Sequence, residues 1–178
     1  MRKLVAALAF LALAACGQSS TTAPEAGSSL PAWRVALGDS PQVLRTYAPD
    51  GGLAAITGSA TEATGDGGVK VTTGPTAGQW AAMVTLGDDA RPVARPTALR
   101  IHAKVETGAL YFVSTYDQAP AAYQPVQETV QAGGPAEIYL PIDANGPPLL
   151  IVANASEIGK SVGSVQSIEL LAGPAARP

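Results

Sequence analysis

Apolar and polar residues alternate in short runs along most of the chain after residue 30. A period of two is typical of strands, whose successive side chains point to opposite faces. No stretch there keeps apolar residues at helical spacing for three turns. The 19 Gly and 15 Pro residues separate the runs as turn formers. The pattern predicts roughly eight to eleven strands, within Trp33–Leu37, Val43–Tyr47, Leu53–Gly58, Val69–Thr73, Trp80–Leu86, Ala98–Val105, Leu110–Tyr116, Val126–Val130, Ala136–Pro141, Leu149–Ala153 and Val162–Leu171.

The number and spacing of these strands indicate an all-β sandwich or barrel. They lie within residues 31–172, about 142 residues, which is the usual size of one domain. A chain of that length buries roughly two-thirds of its unfolded surface. We therefore expect a single β domain with a hydrophobic core that needs no disulfide.

The segment 98–116 shows the alternation most clearly. We expect it to form a hairpin whose turn is residues 106–109 and in which Lys104 lies opposite Tyr111. Burial would fix this register, because a slip of one residue would mix the apolar and polar faces. The side chains predicted to point into the core are Leu99, Ile101, Ala103, Val105, Leu110 and Phe112.

The later predicted strands follow one another over residues 97–105, 108–113, 136–141, 149–156 and 165–170. This order resembles the C-terminal half of galactose-binding-like jelly rolls, which include many carbohydrate-binding modules. The resemblance implies a jelly-roll β-sandwich in which the last strand returns beside the first. Fold class by itself does not fix function.

The first 15 residues have the layout of an export signal. Arg2 and Lys3 precede the uncharged apolar stretch Leu4–Ala15. As a helix this stretch would rise about 18 Å, which is too short for a hydrocarbon core of about 30 Å. We therefore predict a helical signal peptide over residues 1–15 rather than a transmembrane anchor.

The signal ends in Leu13-Ala14-Ala15-Cys16, which resembles the lipobox of bacterial lipoproteins. The resemblance implies that Cys16 becomes the mature N-terminus and carries acyl chains, which hold a protein at a membrane when there are two or more. Gly17 follows, in place of the aspartate that can retain enteric lipoproteins at the inner membrane, which implies the outer membrane of a bacterial cell envelope. The alternative is an ordinary secreted protein in which this lone cysteine is incidental.

Residues 16–30 are small and polar, a composition typical of a disordered tether. Residues 173–178 are predicted to be a disordered tail. Removal of residues 1–15 leaves 9 basic and 14 acidic side chains, a formal charge of −5. This charge argues against nucleic acid as a partner and against electrostatic docking on anionic lipid.

No catalytic residue is predicted. His102 is the only histidine and lies mid-strand, and no Gly-x-Ser-x-Gly elbow occurs. Asp88 and Asp89, with Arg91 close by, fit a turn with a local ion pair better than a pair of glycosidase carboxylates. No metal ligands are predicted, and zinc is disfavoured because one histidine remains once the cysteine is acylated. The resemblance allows a structural calcium near the chain ends, with candidate oxygen donors Asp39, Asp50 and Glu169.

The candidate recognition surface is a polar patch on the predicted hairpin, formed by Arg100, His102, Lys104 and Tyr111. Tyr116 and Tyr123 flank a loop that could form its rim. The alternative is a solvated strand face with a stacked tyrosine. Trp33 and Trp80 both begin predicted strands and are expected in the core.

Three functions remain open. The first is a non-catalytic, lipid-anchored module that binds a glycan or another envelope component. The second is an accessory subunit that meets an envelope protein through a sheet edge or an apolar patch. The third, more remote, is a hydrolase with an unrecognised site.

Overall fold

The computed structural model describes residues 30–87, 97–114, 126–142 and 149–174. Within these ranges eleven strands form two antiparallel sheets. A short helix, α1 (Ala32–Leu37), precedes them, and one 3-10 turn spans Pro49–Gly51. The strands are β1 (Gln42–Tyr47), β2 (Ala54–Ala55), β3 (Ala60–Ala63), β4 (Val69–Thr72), β5 (Trp80–Thr85), β6 (Thr97–Thr107), β7 (Ala109–Ser114), β8 (Val126–Gln131), β9 (Pro135–Pro141), β10 (Leu149–Asn154) and β11 (Val162–Ala172).

The strands divide between a six-stranded and a five-stranded sheet. The six-stranded sheet has the order β3-β4-β11-β6-β9, with β1 also paired to β11. The five-stranded sheet has the order β2-β5-β10-β7-β8. The last strand therefore lies beside the first, as the jelly-roll resemblance implied. The predicted all-β sandwich is confirmed.

The core lies between the two sheets and comes from alternate residues of both. Phe112 and Leu110 enter it from the five-stranded sheet, and Ile101 and Leu99 from the six-stranded sheet. All four side chains are fully buried, as are Ala103 and Val105. The six side chains predicted to point inward all do so.

The predicted hairpin over 98–116 is wrong, because β6 and β7 belong to different sheets. The chain crosses from one sheet to the other at Gly108, whose φ is +71°. Lys104 therefore lies opposite Ser164 and Pro135. An alternating pattern is satisfied equally well by two paired strands and by two strands that face each other across a core, so it could not distinguish the two arrangements.

The strand predicted over Trp33–Leu37 is also wrong, since α1 occupies this segment. Pro31 precedes the helix, and Gly38, with a φ of +78°, ends it. Proline before a short segment and glycine after it are typical helix boundaries, whereas alternation over five residues is too short to distinguish helix from strand. Leu37 is the one residue of α1 that is fully buried, and it packs against Ala98 and Leu171 on the outer face of the six-stranded sheet.

The structure differs from the predicted elements in smaller ways as well. The strand predicted over Leu53–Gly58 is reduced to β2, and the exposed strand β3 was not predicted. Gly173, the first residue of the predicted tail, is buried against the backbone of Ala36 and Leu37. In the part of the chain described, no helix has the length and apolar character needed to cross a bilayer.

A buried amide holds together the loops at one end of the sandwich. The Asn154 side chain donates to the carbonyls of Gly74, Thr76 and Gly159 at 3.0, 3.3 and 3.0 Å. Its Oδ1 accepts from the Ser161 hydroxyl at 2.8 Å and from a backbone N–H at 3.0 Å. Asn154 is fully buried, so every polar group of its side chain is satisfied within the protein.

Candidate functional site

The predicted polar patch is divided between the two outer faces of the sandwich. Arg100, His102 and Lys104 lie on β6 in the six-stranded sheet, while Tyr111 lies on β7 in the five-stranded sheet. The prediction that Tyr111 shares a face with the three β6 residues is wrong, because it depended on the hairpin pairing. Each outer face is therefore a separate candidate surface.

On the six-stranded sheet, Arg100 is neutralised by a neighbour on β11. Its Nε donates to Glu169 Oε2 at 2.5 Å, and the two side chains are 25% and 18% exposed. The hydrogen bond to Glu169 raises the pKa of Arg100. The arginine is therefore committed to an internal ion pair and is a poor site for an anionic ligand.

His102 lies between two carboxylates of the same face. Its Nε2 is 3.8 Å from Glu137 Oε2 and 3.9 Å from Glu169 Oε2. Ser167 on β11 lies opposite His102 in the strand register. Both residues are described by the structure, and no hydrogen bond joins their side chains. The histidine therefore has acidic neighbours and no nucleophile bound to it.

Tyr139 connects this charged cluster to α1. Its hydroxyl donates to Glu137 Oε1 at 2.6 Å, and the guanidinium of Arg34 lies 4.0 Å from the centre of its ring. Burial and the hydrogen bond to Glu137 raise the pKa of Tyr139, and Arg100 opposes that shift. Both arginines close to Tyr139 thus have partners within the protein.

The outer face of the five-stranded sheet has a different chemistry. Ala153 on β10 lies opposite Trp80 on β5 and opposite Tyr111 on β7. The two aromatic side chains therefore flank an alanine on one face, two strand spacings or about 9.6 Å apart along the hydrogen-bonding direction. We call Trp80, Ala153 and Tyr111 the aromatic row. Both rings are half-buried and pack against a small cluster of Val113, Leu149 and Ile151.

Uncharged polar side chains continue this face at its edge. Thr129 lies opposite Tyr111, while Gln127 and Gln131 lie opposite Val113 and Ala109. The three β8 side chains are exposed. The face thus combines two aromatic rings with two amides and a hydroxyl, groups that suit a ligand rich in hydroxyls and apolar ring faces.

Sequence reasoning missed most of this second surface. Trp80 was expected in the core but is half-buried on an outer face. Gln127, Thr129 and Gln131 stand at every second position in and directly after a predicted strand, so the sequence placed them on one face. The sequence did not show which other residues share that face, because this depends on which strand pairs with β8. Tyr116, Tyr123, Cys16 and the pair Asp88 and Asp89 lie outside the described residues.

The three candidate calcium donors are not brought into one cluster. Glu169 is paired with Arg100, Asp50 lies in the 3-10 turn, and Asp39 follows α1. Among the residues described, no group of three or more His, Cys, Asp or Glu side chains is placed to hold a metal ion.

A groove of about 320 Å³ runs along the open edge of the sandwich. Strands β8 and β9, which end the orders of the five-stranded and six-stranded sheets, form two of its sides. The start of α1 and the two residues before it form the third. We call this the edge groove, and its lining is Leu30, Pro31, Trp33, Arg34, Glu128, Thr129, Val130, Ala136, Glu137, Ile138 and Tyr139.

No protein-family model and no curated protein matches this chain. Among solved structures, the CBM22-1 xylan-binding domain of Paenibacillus barcinonensis Xyn10C is similar, at 15% identity and a TM-score of 0.54. That match covers 78% of this chain and 99% of the xylan-binding domain. A family 29 carbohydrate-binding module in complex with cellulohexaose matches at 15% identity and a TM-score of 0.48, over 74% of this chain and 90% of the module. The likeness to the xylan-binding domain is one of fold, a β-sandwich.

Proposed function

We propose that this protein is a non-catalytic glycan-binding module, held at a bacterial envelope membrane by acyl chains on Cys16. The observation that carries the binding function is the aromatic row, in which Trp80 and Tyr111 flank Ala153 on one face of the five-stranded sheet. Ala153 is buried between the two aromatic side chains, which are themselves half-buried, so the partly exposed rings are the surface that this face offers to a ligand.

The chemistry of this face suits an uncharged polysaccharide. The apolar faces of pyranose rings pack on aromatic side chains, and hydroxyls pair with amides and hydroxyls such as those of Gln127, Thr129 and Gln131. The assigned positions on this face carry no charge. The xylan-binding domain that shares the fold, described by its name as binding a polysaccharide, supports the same class of ligand.

A binding experiment on two polysaccharides tests this function. We expect the mature protein to be retarded in native gels that contain soluble xylan or mixed-linkage β-glucan. Tyr111→Ala and Trp80→Ala should each weaken retardation by about tenfold, about 1.4 kcal/mol. Tyr139→Ala is the matched control, since it removes a half-buried tyrosine from the other sheet. Circular dichroism establishes that each variant is folded.

Two outcomes would reject the glycan function. One is the absence of retardation by both polysaccharides. The other is retardation that Tyr139→Ala weakens as much as Tyr111→Ala, since the aromatic row would then not be the binding surface.

The proposed anchor rests on the leader sequence and on Cys16. The tether over residues 16–30 would let the domain move away from the bilayer, by roughly 20 Å for a flexible chain of this length. A Cys16→Ser variant should lose metabolic palmitate labelling and move to the soluble fraction. If that variant stays in the membrane fraction, the anchor is wrong, whatever the glycan assay gives.

A further inference from the structure

The edge groove has features that the proposed glycan function does not use. Among the residues described, β8 pairs with β7 alone and β9 with β6 alone. An antiparallel edge strand directs alternate backbone N–H and C=O groups away from its sheet. Two such edges therefore border one groove, a geometry that suits an extended chain bound by strand addition.

The groove also has an apolar lining. Val130 and Ile138 come from the two edge strands, and Trp33 comes from α1. Leu30, at the rim, is 59% exposed. An extended chain presents alternate side chains to one face, so apolar residues at every second position would fit this lining.

The charges in the groove favour a cationic partner. Glu128 and Glu137 contribute two carboxylates, one from each edge strand. The one cation in the lining, Arg34, is stacked on Tyr139 and donates to the Gly38 carbonyl at 3.2 Å. Neither contact neutralises Arg34, so the two glutamates and this arginine give the lining a net formal charge of −1.

We propose that the edge groove binds an extended peptide segment of a partner protein, with lysine or arginine alternating with apolar residues. Such a segment would pair its backbone with β8 or β9, place its apolar side chains against Trp33 and Val130, and bring its cations to Glu128 and Glu137. The chain's own preceding segment does not fit this description, because residues 17–29 carry Glu25 and no cation.

Blocked pentapeptides provide the test. The probe is an acetylated, amidated peptide in which two lysines alternate with three aliphatic residues, titrated by calorimetry into the mature protein. We expect a Kd on the order of 100 µM, as for a small interface. The same peptide with glutamate in place of lysine should bind at least tenfold more weakly, and so should one with N-methylated backbone amides.

Matched variants connect the binding to the groove. The double variant Glu128→Gln and Glu137→Gln should raise the Kd of the lysine peptide about tenfold. Glu62→Gln with Glu157→Gln removes the same net charge from exposed positions outside the groove, and should change the Kd by less than about twofold. Tyr111→Ala should leave peptide binding unchanged while it weakens glycan binding.

The proposal is overturned if the lysine peptide does not bind at about 5 mM, or if the two double variants bind it equally. It is also overturned if glycan binding is lost in the Glu128→Gln and Glu137→Gln variant, since the groove would then belong to the glycan site. If the peptide does not bind while glycan binding is intact, the peptide-binding proposal is wrong and the proposed glycan function stands.

Discussion

Gly108 and Ser161 are in direct contact where the chain passes from the six-stranded to the five-stranded sheet. A Cβ on Gly108 would lie 2.4 Å from Ser161 Oγ. The same hydroxyl accepts the N–H of Ala109 at 3.0 Å and donates to Asn154 Oδ1 at 2.8 Å. The crossing between the sheets is thus fixed by a glycine with a positive φ and by a serine that the loop after β10 supplies.

This contact predicts a large cost for Gly108→Ala. The new methyl group would clash with Ser161, and an L-residue at a φ of +71° is strained in addition. Gly159→Ala is the matched control, since Gly159 has a φ of +80° but no atom within 4 Å of its Cβ position. We expect losses in the free energy of unfolding of about 3 kcal/mol for Gly108→Ala and about 1 kcal/mol for Gly159→Ala. Equal losses in urea unfolding would show that the clash contributes nothing.

Asn154→Ala should be among the most destabilising single substitutions in this domain. It would remove a buried amide, leaving the Gly159 carbonyl without this donor and the buried Ser161 hydroxyl without its acceptor. We expect a loss of about 3 kcal/mol in the free energy of unfolding, because buried groups left unpaired cost about 1–3 kcal/mol. Ser164→Ala, on the half-buried outer side of β11, should cost less than about 0.5 kcal/mol. A loss below about 1 kcal/mol for Asn154→Ala would contradict the assigned network.

Gln127→Ala and Gln131→Ala should each weaken binding of a neutral polysaccharide. Each change removes an exposed amide beside the aromatic row without a change in charge. One neutral hydrogen bond contributes about 0.5–1.5 kcal/mol, so we expect losses of roughly two- to tenfold in affinity. Gln166→Ala provides the control, since Gln166 is exposed on β11 of the other sheet. If Gln166→Ala has the larger effect, the ligand contacts the six-stranded sheet instead.

Tyr47→Phe should increase stability, and increase it more at high pH. The Tyr47 hydroxyl is buried without a hydrogen-bond partner, and burial raises its pKa above the ordinary value of about 10. Because the folded state holds this proton more tightly, stability is retained below about pH 10 and falls as the pH rises towards the folded-state pKa. We expect Tyr47→Phe to add about 1 kcal/mol at pH 7 and to reduce the decline above pH 10.

Tyr139→Phe is the companion variant in that experiment. The Tyr139 hydroxyl has a partner in Glu137, so its removal should lower stability at pH 7 rather than raise it. Thermal unfolding at pH 7 and pH 10.5 measures both effects. A Tyr47→Phe variant less stable than the parent at pH 7 would mean that the hydroxyl is satisfied in solution.

Local patterns predicted most of the strands and much of the core. The alternation over Ala98–Val105 correctly identified Leu99 and Ile101 as inward-facing, because one buried face imposes a period of two whatever the strand pairs with. The errors fall where alternation is short or ambiguous. Over Trp33–Leu37, an alternation of five residues could not distinguish strand from helix. Pro31 before this segment and Gly38 after it were better indicators, because they are typical helix boundaries.

The candidate site was predicted less well than the core. Tyr111 was correctly placed on a surface, but its neighbours were not, since they come from β5, β8 and β10 rather than from β6. Trp80 lies about 30 residues from Tyr111 along the chain, and no local rule connects the two. A surface of this kind exists only once strands distant in sequence have been paired.

The sequence by itself determined the class of fold and the inward face of β6 and β7, and it is also the basis of the leader proposed over residues 1–15. These depend on the order of residues within short segments. The tertiary structure alone decided that β6 and β7 lie in opposite sheets, and that Trp80 and Tyr111 flank Ala153 on one sheet face. Several distant segments could pair with a given strand through the same backbone hydrogen bonds. Which of them does so depends on the packing of the whole core.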